Sequence, residues 1–189
     1  TQADGFSTVA VVACQREVID RQLTPLREAG LPASFMTVSS WGVLGWFRHA
    51  GRLASVATPG LIVNIDETRT DLVLVTDGHL VSSRSVGQGL HELQGISQTP
   101  ELLVVEVERS LSAIRQELPE LEVRSIVLTG LGPLAQWQEE IARRLGLAVT
   151  VIDARQPLRL RKDTAPSTPA LSFSPVVVGA LRSASSRTS

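Results

Sequence analysis

Leu61–Val86 reads LIVNIDETRTDLVLVTDGHLVSSRSV. Three runs rich in β-branched and apolar residues predict strands over Gly60–Ile65, Asp71–Thr76 and His79–Val86. Asp77-Gly78 separates the last two, and Asp-Gly is a two-residue turn that closes a tight hairpin. Strands joined by such short turns must run antiparallel. A polar cluster, Asn64 to Thr70, opens where the first strand ends.

The pattern changes after this meander. A polar stretch, Gln88 to Thr99, leads to a predicted helix over Pro100–Leu118. Leu103, Val107, Leu111, Ile114 and Leu118 recur there at three- and four-residue spacing. Pro100 suits the first helical position and Pro119 ends the helix. Val123–Leu128 predicts a short strand and Thr129–Gly132 (TGLG) a turn. Pro133–Leu145 predicts a helix stopped by Gly146, and Ala148–Ile152 a further strand. Asp153–Pro169 reads as a surface loop. Ser172–Leu181 reads as a closing helix, capped by Ser174 with Pro175 at its first position. Residues 184–189 read as a disordered tail. From Gly60 onward the order is β-β-β-α-β-α-β-α. Strands separated by helices cross over and run parallel, so the fold class is α/β with a mixed sheet and helices on both faces.

Before Leu61, Thr8–Ala13 reads as a buried strand and Glu17–Ala29 as a helix stopped by Gly30. Pro25 predicts a kink or a shortened turn there. Ala33–Val38 reads as a second strand. A helix then runs from a Ser39 or Ser40 cap to about Leu53. In it Trp41 and Trp46 are five residues apart, so they lie on different faces and one can be exposed. Pro59-Gly60 marks the main boundary, dividing residues 1–58 from 59–183.

Composition narrows the classes. Hydrophobic residues make up 43% of the 189, enough for a sizeable core. A net charge of −1 gives no global field to draw nucleic acid or an anionic membrane. No apolar run approaches the roughly 18 residues of a membrane span, and no signal-peptide pattern stands at the start. The first residue is Thr, as in a processed chain or an excerpt of a longer one. The sole cysteine, Cys14, has no partner for a disulfide or a metal cluster and is expected to be a small core residue.

Five stretches together carry a resemblance: TVAVVACQREVIDRQLTPLREAGLPASFMTV, LIVNIDETRTDLVLVTDGHL, ELLVVEVERSLSAIRQE, VRSIVLTGLGPL with ARRLGLAVTVID, and SPVVVGALRS. In this order and spacing the chain resembles the actin-like pilus assembly proteins of the PilM family. It is also similar to the cytoplasmic part of the secretion protein GspL and, more distantly, to FtsA. The resemblance implies an actin-like, ribonuclease-H-like fold. Residues 1–58 would be the tail of the first lobe (β-α-β-α) and 59–183 the second lobe. The first phosphate-binding hairpin that such proteins carry earlier is not in this sequence.

The resemblance also implies where nucleotide chemistry would sit. The first strand of such a lobe should read Asp-x-Gly-x-x-x-Thr. There the Asp holds hydrated Mg²⁺, the Gly lets backbone N–H groups reach phosphate, and the Thr adds a hydroxyl donor. Here the run is Asn64-Ile65-Asp66-Glu67-Thr68-Arg69-Thr70. Thr70 is in place, Asn64 is neutral where the acid should be, and Asp66 stands at the glycine position. Like charges at about 4 Å cost about 4 kcal/mol at an effective dielectric of about 20, so Asp66 and Glu67 oppose a triphosphate. Arg69 could offset some of that charge, or pair with Glu67 or Asp71. Shifting the register to make Asp66 the acid puts Thr68 at the glycine position and Leu72 at the threonine position. Gly130 and Gly132 match the later glycine turn that approaches adenosine, and equally suit a strand-to-helix turn that needs positive φ.

The expected function is a non-catalytic, cytoplasmic scaffold peripheral to the inner membrane. It would bind inner-membrane proteins of a type IV pilus or type II secretion-like machine, with homo-oligomers left open. No cofactor is expected; ATP and magnesium would enter only through Asn64, Asp66, Thr68, Thr70, Gly130 and Gly132. The alternative is an actin-like ATPase of the same machinery, or a kinase-like fragment. His49, His79 and His91 are not at ligand spacing, Gly87-Gln88-Gly89 lacks a following Gly-Lys-Ser/Thr, and no nucleophile elbow occurs. Arg155, Arg159, Arg161 and Lys162 form a basic loop that suits solvent, an acidic protein or anionic lipid head groups.

Overall fold

A computed structural model describes residues 11–31, 33, 36–52, 56–93 and 100–154. They fall into two compact units, Thr1–Met36 and Thr37–Ser189.

The first unit holds one helix, α1 (Arg16–Glu28), with Pro25 inside it. Gly30 follows with φ +69°, the left-handed residue that ends helices at little steric cost. None of the residues of α1 is buried. The expected strand over Thr8–Ala13 is not formed at its described residues, 11–13. Cys14, expected in a core, is exposed.

The second unit is built on a five-stranded sheet in the order β3-β2-β1-β4-β5. The strands are β1 (Gly60–Ile65), β2 (Thr70–Thr76), β3 (His79–Val86), β4 (Ser125–Gly130) and β5 (Ala148–Val151). The first three form the expected antiparallel meander. Asp77 and Gly78 join β2 to β3 with φ of 50° and 76°, the paired positive values of a type I′ turn. β4 lies parallel to β1, and β5 parallel to β4. The sheet is therefore mixed, with its crossovers made by α4 (Glu101–Glu117), after the one-turn α3 (Leu90–Leu93), and by α5 (Leu134–Leu145).

Alternation along β1 divides the core in two. Leu61, Val63 and Ile65 pack with Leu103, Val107, Leu111 and Ile114 of α4 and with Trp137 and Ile141 of α5. Ile62 faces the other way, with Val73, Val75 and Val127, against α2 (Ser39–His49). That helix supplies Val43, Leu44, Trp46 and Phe47 to this second cluster. Trp46 is 1% exposed and Trp41 is 49% exposed, so the two tryptophans do separate onto different faces. Because α2 covers one side of the sheet, the boundary expected at Pro59-Gly60 lies inside the larger unit.

Local boundaries differ from expectation for tertiary reasons. The predicted strand over Ala33–Val38 is absent at its described residues, 33 and 36–38. The N-cap of α2 is Val38, with no side-chain cap, because the Ser39 hydroxyl donates to Asp71 Oδ1 instead, 2.9 Å away. β4 starts at Ser125 rather than Val123 and runs on through Thr129 and Gly130, which sit opposite Asn64 and Ile65. The basic Arg155–Lys162 loop, the expected closing helix and the expected tail lie outside the described residues.

Candidate functional site

β2 and β3 extend from β1 to one side, and β4 and β5 to the other. Between β1 and β4 the order of the sheet reverses, and open α/β sheets place ligands outside the carboxyl ends of strands at such a point. The residues read from sequence meet there. Asn64 and Ile65 end β1, Thr129 and Gly130 end β4, and the pairs lie side by side in register. Asp66, Thr68 and Thr70 continue from β1 through the turn into β2. Gly132 stands apart, against Leu90 and Trp137.

A polar row crosses three strands beneath α2. Asp71, Asn64 and Thr129 are opposite one another in register and share the α2 side of the sheet with Val73, Ile62 and Val127. Asn64 and Thr129 are 0% exposed and Asp71 is 2% exposed. Buried polar atoms ordinarily have partners. Asp71 Oδ1 accepts from Ser39, whereas Asp71 Oδ2 and Thr129 Oγ1 have no hydrogen-bond partner among the described residues. The row's carboxylate is therefore on β2, one strand over from the position that holds Asn64. Sequence reading weighed Asp71 only as an ion-pair partner for Arg69. The signal it passed over is one acid at the head of the buried run TDLVLVT. Arg69 itself is exposed and makes no ion pair among the described residues.

The turn from β1 to β2 is held by its own groups. Asp66 N–H donates to Arg69 O at 2.8 Å. Glu67 N–H donates to the Asp66 carboxylate, Oδ1, at 2.8 Å. A side chain thus occupies a backbone donor that a glycine would leave open for an anion. The Thr70 hydroxyl donates to Gln88 O at 2.7 Å. Leu90 and His91 donate their N–H groups to Asp66 O and Glu67 O. Gly89 lies so close that an added Cβ would come within 2.4 Å of the Glu67 carbonyl. The Glu92 carboxylate accepts from Gly89 N–H at 2.9 Å, and that backbone hydrogen bond holds its pKa below the usual carboxylate value. Thr68 is exposed at the tip.

The later glycines have steric duties as well. Gly130 has φ +98°, and a Cβ there would sit 2.0 Å from Ile65 O. Leu131 N–H donates to that same oxygen at 2.8 Å. Gly132 has φ +109° and would place a Cβ 3.0 Å from Leu90 Cδ1. Among the described residues, no group of three or more His, Cys, Asp or Glu could hold a metal ion, and no helix is long and apolar enough to cross a membrane. For Mg-ATP, the donor set fits poorly: the acid position is a neutral amide, and Glu67 N–H and the Thr70 hydroxyl already have acceptors.

A mixed sheet layered between helices is an α/β fold, and likeness to solved structures shows it to be actin-like. The chain is similar to a protein of the solved PilM–PilN type IV pilus biogenesis complex, with a TM-score of 0.65 and 19% identity over 88% of this chain. It spans 58% of that chain. Weaker likenesses are to the ethanolamine utilization protein EutJ of Carboxydothermus hydrogenoformans (TM-score 0.48, 15% identity, 74% of this chain and 57% of that one). An archaeal actin homolog gives a TM-score of 0.44 at 14% identity, over 82% of this chain and 56% of that one. No family model matches the chain, and no curated protein matches it by sequence.

Proposed function

We propose that the chain is a non-catalytic actin-like scaffold of a type IV pilus or type II secretion-like assembly. In this reading it works at the cytoplasmic side and holds an inner-membrane partner by protein–protein contacts. The fold likeness to the PilM–PilN complex supports the choice of machine. The observation that carries the non-catalytic part is the hydrogen bond from Glu67 N–H to Asp66 Oδ1. In this reading the Asp66 carboxylate opposes an entering phosphate and takes up a backbone donor that the phosphate would use, which supports the non-catalytic role.

Titration with a fluorescent ATP analogue in the presence of Mg²⁺ tests this. The expected result is no saturable binding at up to about millimolar analogue, the weak end of ordinary affinities. Micromolar, Mg²⁺-dependent binding to the unmodified chain would overturn it. The double substitution Asn64→Asp with Asp66→Gly restores the acid and opens the turn, so it should raise affinity.

A second reading, a nucleotide-binding actin-like ATPase, has one observation in its favour. The candidate turn lies at the switch point, and Asp71 Oδ2 is buried beside it without a hydrogen-bond partner among the described residues. If Asp71 served a metal there, Asp71→Asn would abolish any Mg²⁺-dependent signal in the same titration.

A further inference from the structure

A cavity of about 280 Å³ opens on the side of the sheet opposite the polar row, between β3 and the second half of α4. Its floor is apolar, formed by Leu61, Leu72, Leu74 and Ile114. It exists because small residues face one another. Ser82 and Arg84 stand opposite Leu74 and Leu72 in register, on the α4 side of the sheet. Across from them α4 presents Ser110 and Ala113. The Ser110 hydroxyl is buried and has no hydrogen-bond partner among the described residues.

The cavity adjoins a free sheet edge. β3 is an outer strand and, among the described residues, pairs only with β2. Its outer N–H and C=O groups can template another strand. A bulge lies beside Val81, which is 39% exposed. Arg84 stands at the cavity mouth with its side chain half exposed. It is 3.8 Å from Glu106, and that carboxylate already holds Arg109 at 2.6 Å. The Arg84 guanidinium can therefore receive another carboxylate without breaking a short ion pair.

We propose that the outer edge of β3 and this cavity form a docking site for an extended segment of a partner protein. The segment adds as a sixth strand, puts one large apolar side chain into the cavity and sets a carboxylate on Arg84. Main-chain hydrogen bonds supply affinity in strand addition, and a pocket for alternate side chains supplies selectivity. Residues two apart on a strand share a face, so the apolar residue and the acid are separated by one residue, opposite Ser82 and Arg84. A second copy of the chain is a poor occupant. Its own β3 would offer Ser82 and Arg84 to the cavity, with like charges meeting across the pair. This surface is independent of whether the chain serves a pilus machine and of any nucleotide at the turn.

The probe is a fluorescein-labelled synthetic peptide of about ten residues, alternating Thr and Val, with one Leu two positions from one Asp. Binding to the full chain is read by anisotropy and by backbone amide shifts. Saturable binding is expected, with shifts concentrated on residues 81–85 and 110–117. A peptide with Ser in place of Leu should bind at least about tenfold more weakly, the effect of burying one leucine. Ala113→Leu, or Ser82→Leu if the first does not fold, fills the cavity and should weaken binding by a similar factor. Arg84→Glu should turn the preference toward a peptide with Lys in place of Asp. The proposal is overturned by absence of saturable binding, by equal binding of the Ser peptide, or by undiminished binding to a folded cavity-filled variant. Dimerisation of the chain alone through β3 would likewise refute it, assigning the edge to self-association.

Discussion

Replacing Gly130 by alanine separates a glycine kept for a ligand from one kept for the fold. With φ +98°, an alanine at this position is strained before any contact is considered, at a cost of about 1–3 kcal/mol. Its Cβ would lie 2.0 Å from Ile65 O, 2.8 Å from Ile65 N and 2.9 Å from Ile65 C. All three are backbone atoms of the central strand, fixed by pairing to β2 and β4, so relief requires β1 and β4 to part at their carboxyl ends. Part of that separation breaks the hydrogen bond from Leu131 to Ile65 O, worth about 1 kcal/mol net. The sum is about 2–4 kcal/mol before the steric clash is counted, a large share of the roughly 5–15 kcal/mol that ordinarily holds a domain. Two other glycines calibrate it. Gly132→Ala meets the movable end of Leu90 at 3.0 Å, and Gly146→Ala, with φ +65° at the end of α5, meets nothing within 4 Å. Urea unfolding of the three variants should therefore rank Gly130→Ala as most destabilised, then Gly132→Ala, then Gly146→Ala at about 1 kcal/mol. If Gly130→Ala lies within about 1 kcal/mol of Gly146→Ala, the steric account of the turn is wrong and a ligand must explain the glycine.

Three further outcomes follow from the same contacts. Ser39→Ala removes the donor to Asp71 Oδ1 and leaves a buried carboxylate poorer by one bond, so stability should fall by about 1–3 kcal/mol in denaturant unfolding. The Glu92 pKa is lowered in the fold, chiefly by the Gly89 N–H, so its contribution is complete above the ordinary value of 4.5 and is lost as pH falls below it. Amide exchange at Gly89 and Leu90 should accordingly speed up as the pH is taken toward about 3, and Glu92→Gln should remove that dependence. Leu103→Ala deletes a side chain that is 1% exposed between α4 and the sheet and should cost about 2–5 kcal/mol, read as a lowered urea midpoint.

Where chemistry is local, the sequence was legible. Asp77-Gly78 named its turn, and the Val and Leu runs of β1 and β2 named buried strands because periodicity and propensity agree there. The α4 stripe from Leu103 to Ile114 was equally plain. Legibility failed where a residue answers to a partner distant in sequence. Ser39 looks like a cap and instead bonds to Asp71, 32 residues away. Gly130 looks like the start of a turn and is the last residue of a strand, because Ile65 pairs with it. Asp71 was passed over as a site member for the same reason. Nothing adjacent to it in sequence reveals that Asn64 and Thr129 flank the same buried row.

The position of that one buried acid bears on what the site can do. A carboxylate in place of Asn64 would lie in the same buried row, since Asn64 is 0% exposed and stands opposite Asp71. Moved one strand over, to Asp71, it lies against the first turn of α2, where Ser39 donates to it. The partial positive charge of a helix N-terminus favours an anion there. Asp71 thus lies at a helix end and accepts a hydroxyl, and that bond ties α2 to β2 beside the Trp46–Phe47 cluster. Meanwhile Asp66 turns its charge onto the amide of the next residue. Asp66 and Asp71 are therefore both engaged in holding the polypeptide together. With Asp71 and Asp66 so engaged, the switch point is where α2 and the turn after β1 are both tied down by carboxylates.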